Sequence, residues 1–458
     1  MSELPKGWVA ASLNELMGTK SLFSDGDWIE SKDQDPNGEN RLLQLADIGD
    51  GQFINKSSRF VNDEKFEALN CTELKEGDVL IARMPDPLGR ACLMPYLPQR
   101  CLTVVDVAMF RTGETGVSNK WLMYLLNSPQ VRAEIELNSS GTTRKRIARG
   151  KLGEMALPIP PLAEQTRIAQ KLDGLLAQVD TLKARIDAIP ALLKRFRQST
   201  LTAAVSGRLT EEWRKQNSPL DSAELVDWRQ TIFGEICREI TVGYVGKMAD
   251  QYKESGVPFL RSQNVRPLRF APENILYISE EFHTTIIKSR LEPGDLAIVR
   301  SGAPGVTCVI PESLPISNCS DLVIARPSEK LNPWFGCIYM NSEIAQRNVA
   351  DNQVGVAQQH FNVGSMKKMP INLPPIDEQT EIVRRVEQLF TFAEQLEARV
   401  DSAKSRIDLM TQSILAKAFR GKLVPQDPND EPASVLLERI KAQRAAAPKA
   451  KRGRKASA

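Results

Sequence analysis

Cations cluster at three places in this sequence: RKRIARGK from Arg144 to Lys151, LLKRFRQ from Leu192 to Gln198, and the C-terminal KAQRAAAPKAKRGRKASA. Guanidinium and ammonium groups at such density suit phosphate, and arginine also suits a guanine edge. A cationic run is just as compatible with a solvated face, so it needs support from the rest of the chain. The residues of a catalytic centre are not assembled anywhere. There is no GxxxxGK[ST] phosphate loop, because Gly246-Lys247 runs into Met248 and Gly421-Lys422 into Leu423. No GxGxxG opens a helix. His283 and His360 are the only histidines, too few for a His-rich metal site, and no spacing of carboxylates such as Asp86 and Asp106 singles out a nuclease. The seven cysteines form no CxxC pair and read as buried or half-buried thiols. No metal site is expected, and the chain reads as non-catalytic.

The stretch NPWF at 332–335 is close to the Asn-Pro-Pro-aromatic signature of amino-methyltransferases, but Trp334 stands where the second proline belongs and no glycine-rich cofactor loop accompanies it. Trp334 therefore reads as a packing residue, the counterpart of Trp121.

At 458 residues the chain is long enough for about three units of ~150 residues. Its 41% apolar and 26% charged content is that of ordinary globular proteins, which argues against both disorder and a membrane class. No apolar run reaches the ~18 residues of a spanning helix, and MSELPKGW lacks the layout of a signal peptide, so a cytoplasmic location without membrane contact is expected. The net charge of +3 is too small to point to nucleic acid without the clustering described above.

The elements that would position such cations are written twice. PPLAEQTRI at 160–168 returns as PPIDEQTEI at 374–382, an offset of 214. The same offset aligns Gln198-Ser199 with Gln412-Ser413, Leu201 with Leu415, Ala204 with Ala418, and GRL at 207–209 with GKL at 421–423. Weaker echoes pair WVAASLNEL with WRQTIFGEI and EGDVLIAR with PGDLAIVR. In each copy apolar residues recur in alternating steps of four and three, from Ile168 to Phe196 and from Ile382 to Ile414, which is a coiled-coil seam. A Pro-Pro before each helix bars its continuation upstream, and acidic residues follow early, at the positive end of the dipole. Two equal seams in one chain are natural partners, and duplication with two-fold character makes them antiparallel. Pro190 predicts a kink in the first helix alone. The rest carries short β-like runs such as DVLIAR, CLTVVDVAMF, DLAIVR and DLVIARP, broken by Gly, Pro, Asn and Asp, as in compact α+β domains rich in loops.

Two variable domains, each followed by a long helix opening LPIPPLAEQTRIAQKLDGLLAQVD or LPPIDEQTEIVRRVEQLF, resemble the DNA-specificity subunits (HsdS) of type I restriction-modification enzymes, particularly the enteric subgroup. LPKGW, KRFRQSTLTAAVSGRLTEEWR and TQSILAKAFRGKLVPQ share the likeness, which spans nearly the whole chain. The resemblance implies an α+β architecture with two target-recognition domains, 1–157 and 215–372. Helical spacers at 158–214 and 373–426 would join them as long antiparallel coiled-coil helices with internal pseudo-two-fold symmetry. Residues 427–458 would form a basic, flexible tail. It also implies a chain without catalysis or cofactor of its own that reads one half of a bipartite, asymmetric double-stranded DNA site with each domain. Two methyltransferase subunits, using S-adenosylmethionine on adenine N6, and two restriction subunits, using ATP and Mg2+, would dock on it. The first seam spans about 42 Å at ~1.5 Å per residue, a little over the ~34 Å of one DNA turn, so helix length is expected to fix the gap between half-sites.

Site expectations follow from the resemblance. SGTTRKRIARGK, ahead of the first helix, offers Thr143, Arg144, Lys145 and Arg146 to DNA; the second copy has VGVAQQHFN instead, where Gln358 and Gln359 suit an adenine edge. A second candidate surface follows the strands GDVLIAR and GDLAIVRSG, with Arg83 and Arg90 in one domain and Arg300 and Ser301 in the other. A third pairs Gln44 with Asp47, and Arg261 with Asn264. Glu164, Gln165, Glu378, Gln379, Arg195 and Phe196 are the expected partner-docking residues on the helices. Two other readings stay open at this point: a coiled-coil scaffold that reads no DNA, and an enzyme with an unrecognised site. Divergent loops favour the reader, because a pure scaffold gains nothing from them.

Overall fold

The computed structural model describes residues 4–85, 87–142, 144–217, 228–351 and 361–446. The chain divides into two compact units, one made of residues 1–186 with 403–458 and the other of residues 187–402.

In the first unit a four-stranded antiparallel sheet runs in the order Leu22–Asp25, Val107–Arg111, Val79–Ala82, Ala91–Leu93. The apolar run at its centre is buried on both faces. Val79 and Ile81 join the cluster around Trp121 and the long helix, while Leu80 and Ala82 join a second cluster with Leu43 and Met109. Alternate side chains of a strand point to opposite faces, so a continuous apolar run, unlike an alternating one, signals a strand covered twice. A three-stranded sheet (Arg59–Val61, Asn40–Leu43, Cys101–Thr103) and the antiparallel pair Val9–Ala11 with Leu157–Ile159 complete the domain.

The second unit repeats the plan. Its four-stranded sheet runs Cys237–Val242, Leu322–Pro327, Leu296–Val299, Thr307–Val309, and Leu296 and Ile298 face one cluster while Ala297 and Val299 face another. A five-stranded sheet replaces the three-stranded one, and Arg229–Ile232 pairs with Pro370–Leu373 where the first unit has Val9–Ala11 with Leu157–Ile159.

The two long helices are Leu162–Val205, continuous through Pro190, and Ile376–Ala418. Each unit holds one half of each. In the first unit Ile168 and Leu172 pack in one core with Leu415, Ala418 and Phe419, and Lys183 Nζ lies 3.3 Å from Asp408. In the second, Leu201, Ala204 and Val205 share a core with Ile382, Val383 and Val386, and Arg197 holds Glu397 through two bonds of 2.5 and 3.0 Å. Arg385 donates to the Leu209 carbonyl at 2.8 Å. In both units a higher number on one helix meets a lower number on the other, the antiparallel course expected from the duplication. The seam is closed at Ile168, Leu172, Val179 and Ile407, but Leu182 and Met410 are 45% and 47% exposed, so it opens locally in the first unit.

Of the segment 427–458 expected to be a flexible tail, the part up to 446 is packed on the first unit, and 447–458 lie outside the described residues. Residues Ala433–Ala446 form a helix that buries Ala433, Leu436 and Ile440 in the first unit's core. Asp430 anchors its approach through Arg167 (2.5 and 3.2 Å), and the Ala433 N–H donates to the Gly7 carbonyl. Apolar residues three and four apart supply the face that composition alone conceals. The seven cysteines are free, five buried and two half-buried; burial pushes the Cys71 and Cys101 thiols up to about 11.

Candidate nucleic-acid interface and its supports

The Glu-Gln pairs that open the long helices were expected to dock partners, but their side chains are enclosed within the fold. Glu164, Gln165, Glu378 and Gln379 are all at most 2% exposed. Trp8 Nε1 donates to Glu164 at 3.0 Å, and Trp228 Nε1 donates to Glu378 at 3.0 Å. Gln165 accepts from the Ser118 N–H and donates to the Pro160 carbonyl; Gln379 accepts from the Asn332 N–H and donates to the Lys330 and Pro374 carbonyls. Ser118 and Asn332 are the N-caps of the helices Asn119–Leu126 and Pro333–Met340. One clasp, built twice, thus ties the start of each long helix to the entering strand and to the helix above the sheet. Buried amides and carboxylates are expensive without partners, which explains why the motif recurs unchanged. The other two docking candidates lie on the first long helix, Arg195 exposed and Phe196 half-buried.

The clasp also corrects the pairing of Trp121 with Trp334. Both Trp121 and Phe335 stand three residues after their N-caps and are fully buried, packing against Phe419 and Trp228 respectively, whereas Trp334 is 40% exposed.

Ahead of the first long helix, Ser140 and Arg146 bridge in a tight turn through backbone bonds of 2.9 and 2.8 Å. Gly141 has φ +103°, and a Cβ there would sit 2.5 Å from the Arg144 carbonyl oxygen, so the turn requires glycine. Arg144 is exposed, Lys145 is exposed and paired with Glu136, and half-buried Arg146 lies 3.2 Å from both Asp106 and the Val105 carbonyl. Thr143, and the second copy's Gln358 and Gln359, lie outside the described residues.

The strand-end candidates turn inward. Arg83 is 4% exposed and paired with Asp25, and burial with Arg146 and Arg149 nearby brings its guanidinium down to about 10. Arg90 is spent on four carbonyls, those of Ile48, Pro85, Pro87 and Leu45, at 2.6 to 3.1 Å. Both arginines are enclosed in the domain: Arg90 is taken up by those carbonyls, and Arg83 is held by Asp25 with its Nε buried and without a hydrogen-bond partner among the described residues. Arg300 and Ser301 meet at Asp321, each at 3.1 Å. Asn264 is fully buried and holds the Ala271 and Glu273 carbonyls while accepting from the Arg261 N–H, so it caps its turn instead of reaching outward. Asp47 does the same, accepting from the Gln44, Lys56 and Ser57 N–H groups. Burial works to raise its carboxyl, but these donors outweigh it and hold it below its ordinary value.

Gln44 is different. It is half-buried, and it lines a cleft of about 500 Å3 with Asp27, Trp28, Ile29, Val105 and Asp106. Among the expected residues, the structure therefore gathers Gln44, Arg83 and Arg146 around one corner of the first unit. Sequence reasoning missed Trp28, 70% exposed in the polar stretch SDGDWIESKD, where a lone large aromatic was the available signal. Among the described residues no group of His, Cys, Asp or Glu is placed to hold a metal, and no helix is long and apolar enough to cross a membrane.

Fold and site together describe an internally duplicated binding protein, one clasped scaffold carrying two sets of exposed side chains. Comparison with known proteins agrees. The family model for the type I restriction modification DNA specificity domain matches residues 5–191 and 320–402. The EcoKI specificity subunit of Escherichia coli K12 is 36% identical over 481 aligned positions, covering 99% of both chains. The Escherichia coli EcoBI specificity subunit is 37% identical over 345, covering 71% of this chain and 72% of its own. Among solved structures, a chain of a type I R-M system aligns with a TM-score of 0.61 at 19% identity, covering 92% of this chain and all of that one. The HsdS subunit of Thermoanaerobacter tengcongensis aligns at 0.59 and 20%, covering 92% and 98%. The chain belongs to the family of type I restriction-modification DNA-specificity subunits. It is a non-catalytic recognition subunit, whose role entails DNA and partner subunits.

Proposed function

We propose that the chain reads a bipartite, asymmetric DNA site, one half with each α+β domain, and that the long helices set the gap between the halves. Two methyltransferase and two restriction subunits dock on it in the cytoplasm. Those partners bring S-adenosylmethionine, ATP and Mg2+ for adenine-N6 methylation or ATP-driven cleavage; this chain supplies none of them. One observation carries the reading: the two units share the Trp-Glu-Gln clasp but differ in the residues that open corresponding turns. Gln44 precedes the turn Leu45–Asp47 in one, and Arg261 precedes the turn Ser262–Asn264 in the other. Like scaffolds with unlike faces suit two unlike half-sites, which a bare protein scaffold does not need.

The test is methylome sequencing of cells carrying this chain with methyltransferase partners. A single two-part motif, with a methylated adenine in each half, is expected. Inserting one or two turns into both long helices should lengthen the unspecified gap and leave the half-sites as they were. A palindromic motif, or a gap indifferent to insertion, overturns the reading.

A further inference from the structure

The cleft beside Trp28 has three carboxylates in its lining, Asp27, Glu30 and Asp106. Its carboxylates are already engaged: Asp27 accepts from the Thr72 N–H at 3.0 Å, Glu30 pairs with Lys32 at 2.7 Å, and Asp106 pairs with Arg146 at 3.2 Å. Beside them, one amide and one ring line the cleft, those of Gln44 and Trp28. The half-buried Gln44 side chain closes over its own turn in a box with Asp47, which fixes the Gln44 backbone N–H at 2.8 Å, and bonds to no residue outside that turn among the described residues. The Trp28 ring is 70% exposed, its indole N–H reaching only to Glu30 at 3.5 Å. Ile29, Ala46 and Val105 give the cleft an apolar lining. Leaving that much indole in water without a structural gain is unusual for a residue that normally buries most of its area.

We propose that this cleft is a base-reading site of the first recognition domain, where Gln44 addresses an adenine edge and Trp28 walls in the base pair. This rests on the reading of the chain as a DNA reader and deepens it by naming the base. A glutamine amide pairs with adenine N6 and N7 through one donor and one acceptor, and the methyl of the opposed thymine fits an apolar lining. Two of the three carboxylates in the cleft's lining, Glu30 and Asp106, are paired with cations, Lys32 and Arg146. Arg146 ties the Ser140–Arg146 turn to the wall of the cleft at Asp106, and exposed Arg144 in that turn is the cation offered to an adjoining phosphate. The corresponding corner of the second unit has other chemistry. A parallel bridge joins Asp27 to Val104 in the first unit and Tyr244 to Ser320 in the second, and the next residue in each is exposed, Trp28 at 70% and Val245 at 68%. There Arg261 holds the place of Gln44, so the two corners are fitted to different bases.

The test uses the full chain assembled with its methyltransferase partners and compares Gln44→Ala, Gln44→Arg and Trp28→Ala with wild type. Neither side chain is tied into the core, so thermal melts should coincide. By fluorescence anisotropy at fixed salt, Trp28→Ala should weaken binding of the target duplex by about ten-fold or more, the scale set by removing one base interaction. Binding to a random duplex should stay within about two-fold. In the methylome, Gln44→Ala should relax one A·T position of one half-site, and Gln44→Arg should shift that position toward G·C. An unchanged motif with unchanged affinity overturns the assignment of the cleft alone, as does relaxation spread over both half-sites. A wild-type assembly without sequence preference overturns the DNA-reader proposal and the cleft with it.

Discussion

Trp8 and Glu164, 156 positions apart in the chain, meet in a buried 3.0 Å hydrogen bond, and Trp228 and Glu378 repeat that bond 150 positions apart. The two copies are not equally supported. Glu378 also accepts from Thr210 at 2.7 Å and pairs with Arg214, whereas the second carboxylate oxygen of Glu164 has no partner among the described residues.

Trp8→Phe should therefore cost about 2–3 kcal/mol, because it leaves a buried carboxylate without its donor, while Trp228→Phe should cost about 1 kcal/mol. Urea denaturation of the two variants measures the difference. Burial already raises the Glu164 carboxyl above its ordinary range, so the Trp8→Phe deficit should shrink as pH falls and the carboxyl becomes neutral. Equal costs in the two variants would refute the asymmetry.

The C-terminal helix should behave as part of the first unit. Leu436 and Ile440 are each 1% exposed, so Leu436→Ala should destabilise by about 2–5 kcal/mol and Asp430→Asn by less. Hydrogen exchange across 433–446 should accelerate in both. Unchanged protection would mean that the helix does not depend on these contacts.

Asp295 gives the second unit a pH signature. Its side chain is 1% exposed, accepts from the Glu292 N–H at 2.9 Å and lies 3.5 Å from Arg326. Burial pushes its carboxyl up to about 6 from 3.8, so between those values the folded chain holds the proton more tightly than the unfolded one. Stability from this group is then fully present below about 3.8 and is lost as pH rises to about 6. Relative to Asp295→Asn, wild type should gain stability on acidification through that window and run parallel to it above. Urea midpoints from pH 3.5 to 8 decide it.

Arg144→Ala in the assembled complex should lower the salt slope of DNA binding by about 0.9 for each phosphate it no longer neutralises, and leave the methylated motif unchanged. A changed motif with an unchanged slope would make Arg144 a base reader.

Much of this architecture was legible in the sequence because it is local or repeated. The 214-residue offset exposed the duplication, seam spacing predicted both long helices, and the absence of catalytic spacings agreed with a non-catalytic recognition subunit. What escaped depends on partners distant in the chain. Glu164 and Gln165 look like exposed helix-start residues until Trp8 and Ser118 close over them. Arg83 and Arg90 look like surface cations because nothing in their neighbourhood announces the Asp25 carboxylate or the Ile48 and Leu45 carbonyls that take them inside. Two further signals do lie in the sequence, although its plainer patterns hide them. The same offset carries Trp121 to Phe335, not to Trp334, and the spacing of Ala433, Leu436 and Ile440 marks an apolar helix face within a segment whose composition suggests disorder.

The division of the chain has a consequence for its synthesis. Residues 187–402 form one unbroken stretch and can close while the ribosome is still at work, but the unit begun by the first 186 residues needs 403–458 to complete it. Until Leu415, Phe419, Leu436 and Ile440 emerge, the apolar surfaces around Trp121 and Ile168 wait uncovered, which makes the part translated first the last to mature and the one most in need of a chaperone.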